Sequence, residues 1–138
     1  MTQTLDQKRA ALAWTYACEG MKQHDKEYKG LAKGAPALIM NSGLMSVLAF
    51  YNGKGSDKNG RTTPDKPAGL LLVHLMTGLS ERLAFSPQPP DFASFMTHLQ
   101  RQSSGDYVRS TDEALELLKW IRQFVDAVPQ QGGNDGAT

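Results

Sequence analysis

STDEALELLKWIRQFVDAV, residues 110–128, is the stretch that decides the fold. Ser110-Thr111-Asp112-Glu113 has the form of a capping box, in which a hydroxyl at the first position and a carboxylate three residues on satisfy each other's backbone amides, so a helix is predicted to open there. Ala114, Leu117, Leu118, Ile121, Phe124, Val125 and Val128 then share one face and Trp120 widens it, while Glu116, Lys119, Arg122 and Gln123 lie largely away from it. Pro129 ends the helix. Asp112, Glu113 and Glu116 fit the first turns, where the macrodipole favours negative charge.

Working outward, the same three- and four-residue spacing recurs. Thr4-Leu5-Asp6-Gln7 reads as a second capping box, and the helix it opens, at about residues 4–24, places Ala10, Trp14, Ala17, Cys18 and Met21 on one inward stripe. Asp25 to Lys33 either continues that helix or forms a short one ending at Gly34. Pro36 suits the first turn of another helix carrying Leu38, Ile39, Leu44, Val47, Leu48 and Tyr51, with a kink or restart expected at Asn41-Ser42-Gly43. Asn52 to Thr63 reads as a long exposed loop, of a length often mobile or functional. The run after Pro67, with Leu72, Leu75, Met76, Leu79 and Leu83 on one stripe, is predicted to be the most buried helix. Ser86 to Pro90 excludes regular structure, Asp91 caps a shorter helix with Phe92, Phe95, Met96 and Leu99, and Ser103-Ser104-Gly105-Asp106 starts a further turn. No sustained period-two alternation appears. The expected fold is an all-α compact bundle of about five to seven helices in one domain, residues 1–128, followed by a disordered tail, 129–138.

At 138 residues the chain has room for one such core. Fifteen Lys and Arg against fourteen Asp and Glu give a net charge of +1, so any nucleic-acid contact must come from local patterning. Cys18, the single cysteine, excludes an internal disulfide and a multi-cysteine zinc site and suits a reducing compartment; with no signal-like N-terminus, the cytoplasm is expected. No apolar run approaches the roughly 20 residues of a membrane span. His24, His74 and His98 are widely separated and show no metal-ligand spacing, so neither a metal nor a cofactor is expected, and His74 reads as a core-edge histidine bonded to a neighbour. Gly53, Gly55 and Gly60 with Lys54 and Lys58 lack the strand before and the helix directly after that a phosphate-cradling loop needs. Lys22, Lys26, Lys29 and Lys33 step by four, three and four, so in a helix they would share one face over about 16 Å and meet several phosphates; Arg9 is a further candidate. The alternative is a solvated face, diluted by Asp25 and Glu27. Trp14, Phe50, Tyr51, Trp120 and Phe124 fall mostly on inner stripes, which argues against base-stacking platforms.

These segments resemble the small all-helical subunit of the Cmr type III-B CRISPR effector complex. The likeness covers about residues 3–128 and is carried by QKRAALAWTYA, by Tyr28 and Leu31, by Ala35-Pro36-Ala37-Leu38-Ile39, by Asn41-Ser42-Gly43-Leu44, and above all by Tyr107-Val108-Arg109-Ser110-Thr111-Asp112-Glu113-Ala114-Leu115 with Leu118-Lys119-Trp120-Ile121-Arg122-Gln123-Phe124. The loop 52–63 and the connector 86–90 are outside it. The resemblance implies a noncatalytic subunit, without small-molecule substrate, whose copies stack into a short filament beside larger backbone subunits along guide CRISPR RNA and target RNA. The rival reading is a helical homodimeric adaptor or regulator without RNA contact, in which Asn41-Ser42-Gly43 and Trp120 anchor an interface.

Overall fold

Local signals set most of the helix starts. The computed structural model describes residues 2–85 and 91–129; Ser86 to Pro90 and the expected tail beyond Pro129 lie outside them. Among the described residues six helices form: α1 (Leu5–His24), α2 (Lys26–Ser42), α3 (Leu44–Lys54), α4 (Pro67–Arg82), α5 (Phe92–Gln100) and α6 (Ser104–Ala127). No strand accompanies them, only an isolated bridge between Ser56 and Thr62, so the fold is the all-α bundle expected. At the start of α1, Gln7 N–H donates to Thr4 Oγ1 at 3.1 Å and Thr4 N–H to Gln7 Oε1 at 2.7 Å. Asp91 accepts from Ser94 N–H at 2.8 Å at α5, and Pro67 occupies the first turn of α4, where its missing amide costs nothing.

Other boundaries are tertiary. α1 stops at Asp25, whose φ of 48° folds α2 back against it. Gly20 permits that closure, because a Cβ there would run into the Tyr28 ring. α2 then passes through Gly34 and Pro36 without a break, so Pro36 is a helix-interior proline and not the first-turn residue expected. The missing hydrogen bond is offset by Tyr28, Ala32, Ala35 and Ile39, all buried on the inner face. The restart expected at Asn41-Ser42-Gly43 is real: Gly43 adopts φ 89° and α3 begins beyond it. Gly43 has no side chain with which to cap α3, and the Tyr107 hydroxyl of α6 accepts the Met45 N–H at 3.0 Å instead.

α6 begins at Ser104, six residues before the box at Ser110 that was expected to open it. Ser103 is the cap, accepting from Asp106 N–H at 3.1 Å, and Ser110 is buried within the helix with its hydroxyl donating to Gln102. The loop after α3 starts three residues later than expected and is tied down. It starts at Gly55, whose carbonyl accepts from Thr63 N–H at 2.8 Å, and Asp57 accepts from the amides of Asn59 and Arg61. Gly55 and Gly69 bring this loop and α4 into backbone contact, since a Cβ on either would overlap the other.

One apolar cluster joins the helices. α4 contributes most to it, with Leu70, Leu71, Leu72, Leu75 and Leu79 buried, and α6 packs along α1, α2 and α4. The inner stripe of α1 is Ala13, Tyr16, Ala17, Gly20 and Met21, rotated from the one expected, so Trp14 is 43% exposed.

Candidate nucleic-acid interface

Arg9, read from the sequence as facing RNA, is held inside the fold. Its Nε donates to Glu113 Oε2 at 2.8 Å and its Nη2 to Oε1 at 2.9 Å, a fork that matches the planar carboxylate. Arg82 of α4 lies 3.4 Å from the same carboxylate, and Asp6 and Glu116 flank Arg9 at 3.7 and 3.9 Å. Burial pushes the Glu113 carboxyl up, but the hydrogen bond and charge of Arg9, then Arg82, outweigh it and hold the group below the usual carboxylate range. Glu113 is therefore the joint between α1, α4 and α6; its place in the helix, nine residues past the α6 start, is too deep for the macrodipole role expected.

The lysine row is divided. Lys22 lies near the end of α1, while Lys26, Lys29 and Lys33 lie on α2 beyond the bend at Asp25, so no single helix carries all of them. Lys22 and Lys26 are exposed and make no ion pair among the described residues. Lys29 and Lys33 converge on Asp126 of α6 at 3.3 and 2.8 Å. The Lys33 hydrogen bond, then that of Lys29, holds Asp126 below the usual carboxylate range. Next to this pair a shallow groove of about 150 Å³ is lined by Lys33, Lys119, Arg122, Gln123 and Asp126. Lys119 and Arg122 are cations the sequence reading assigned only to the outer face of α6; their three-residue spacing on a helix that also packs α2 was the available signal.

His74 is buried between helices. The Tyr28 hydroxyl donates to its Nδ1 at 2.7 Å and its Nε2–H donates to Glu19 at 2.7 Å, while Tyr16 stacks on the ring at 4.4 Å. Burial moves the imidazole below its ordinary value of 6.5, and the Glu19 bond and charge oppose this only in part. Among the described residues no three His, Cys, Asp or Glu side chains gather in a cluster able to hold a metal ion, and no helix is long and apolar enough to cross a membrane.

The sequence model of a family described as CRISPR-associated protein (Cas_Cmr5) matches residues 5–128. Among solved structures, the fold is similar to the X-ray crystal structure of a CRISPR-associated Cmr5 family protein from Thermus thermophilus, with a TM-score of 0.67 and 23% identity over 94% of this chain and 100% of that one. The lysine face and the groove beside it lie within the matched span.

Proposed function

Because the chain belongs to the Cmr5 family of CRISPR-associated proteins, the small subunits of the type III-B Cmr complex, we propose that it acts there as a noncatalytic structural subunit. As one helical unit, its copies stack beside the other Cmr subunits along guide CRISPR RNA and target RNA, in the cytoplasm and without a cofactor, in RNA-guided antiviral defence. The family match over residues 5–128 carries this reading. The exposed Lys22 and Lys26, with Lys29 and Lys33 beside them, support an RNA contact that is weak per copy; tethering many copies multiplies effective concentration, so a net charge of +1 is no obstacle. Arg9 is assigned to the fold, given its fork on Glu113.

Replacing Lys22, Lys26, Lys29 and Lys33 with Glu should lower RNA retention by the assembled complex while circular dichroism shows unchanged helicity. Unaltered retention sinks the lysine assignment. Affinity purification of the tagged chain from its host should recover partner proteins with nuclease-protected RNA of discrete length; a clean homodimer without RNA would favour an adaptor.

A further inference from the structure

The strip of surface running from α1 across the C-terminal half of α6 to α2 carries aromatic rings on one side and cations on the other. Trp14 is 43% exposed, and its ring stands edge-on to Phe124, centroids 5.3 Å apart and planes at 88°. That T-shaped contact holds the indole in place with nearly half of the residue open. Trp120 continues the cluster at 5.7 Å from Phe124, and Lys119 Nζ sits 5.6 Å from the Trp120 ring centre. Lys119 also lines the groove with Lys33, Arg122, Gln123 and Asp126, so it links the rings on the α1 flank of α6 to the cations on its α2 flank. Its acidic groups are Asp126 in the groove and Glu116, 3.3 Å from Lys119, fewer than the cations Lys29, Lys33, Lys119 and Arg122.

We propose that Trp14 is a stacking platform for an unpaired RNA base, with a phosphate further along the same strand held in the groove by Lys33, Lys119 and Arg122. The proposal rests on the RNA contact proposed above and gives it a base-facing component. A π face and a cationic groove on the two flanks of one helix match the bases and phosphates of a single strand laid across it, and stacking tolerates any base. An apolar protein segment would match the rings but would desolvate the groove cations, which outnumber their acidic neighbours, without adding an anion. The lysine row alone addresses only phosphates.

The test uses the full chain and the Cmr complex reconstituted around it. Tryptophan fluorescence of the isolated full chain, which has Trp14 and Trp120, is followed while single-stranded oligoadenylate or an abasic oligomer of equal length is added. Trp14→Ala should weaken oligoadenylate binding about tenfold, the loss of one stacked base, and leave abasic binding unchanged. Trp14→Phe should restore most of the difference, and combined Lys33→Gln, Lys119→Gln and Arg122→Gln should weaken both oligomers alike. If Trp14→Ala binds oligoadenylate as the parent does while lysine replacement still lowers retention, the platform falls and the RNA reading stands. If neither change alters RNA binding, both fall. Loss of Trp14→Ala from the complex with RNA affinity per copy unchanged would make this surface a protein interface and overturn the proposal.

Discussion

Arg9 and Glu113 stand 104 positions apart, yet they form a forked ion pair whose carboxylate is only 6% exposed. Removing the carboxylate strips Arg9 of its fork and Arg82 of its ion pair. Glu113→Gln should lower unfolding stability by about 3 kcal/mol, near the low end for a broken buried pair because Arg9 retains Asp6 and Glu116. Urea titration reads this directly, and a loss below about 1 kcal/mol would class the pair with surface bridges. Nothing in the sequence distinguished this carboxylate from a helix-opening one, since Ser110-Thr111-Asp112-Glu113 satisfies the capping pattern and its true partner lies at the other end of the chain. Thr4 and Asp91 were legible for the opposite reason, each bonding an amide three residues away. Trp14 was misassigned because Ala13 and Gly20 mark the inner stripe of α1 by being small, which a count of large apolar residues overlooks.

At the scale of elements, α1 and α2 form a hairpin whose glycines have opposite roles. Gly20 faces the Tyr28 ring so closely that a methyl group must displace it, whereas nothing lies within 4 Å of a Cβ at Gly30 or Gly34. Gly20→Ala should therefore destabilise by about 1 to 3 kcal/mol through overpacking. Gly30→Ala should stabilise by about 0.4 to 1 kcal/mol, because alanine has less backbone freedom to lose. Thermal melting of the two variants should show shifts of opposite sign; shifts of the same sign would mean that the hairpin packs differently. Sequence reasoning placed a break near Asp25 only as one of two options, because a positive φ is expected of glycine and here an aspartate adopts it. The unbroken course of α2 through Pro36 was equally hidden, since inner-face packing overrides the local penalty.

For the whole molecule, His74 ties α4 to Tyr28 of α2 and to Glu19 of α1. Its lowered folded value means that the unfolded chain takes up a proton first, so this stabilisation is complete above 6.5 and is lost as pH falls from there toward the folded value. The slope should reach at most about 1.4 kcal/mol per pH unit. A second decline should begin below about 4.5 as Glu113, also lowered, protonates in the unfolded chain. His74→Gln should flatten the first decline and spare the second; stability that does not change below 6.5 would place the titration elsewhere. The bundle itself was legible as a whole because six amphipathic or apolar segments have few other ways to bury their faces. The lysine face carries a last consequence. Asp126 acts as a built-in counterion for Lys29 and Lys33, so a phosphate arriving there exchanges one anionic partner for another and frees fewer dissolved cations from the nucleic acid than a tally of lysines implies. Affinity drawn from this face would respond to ionic strength less steeply than its charge suggests.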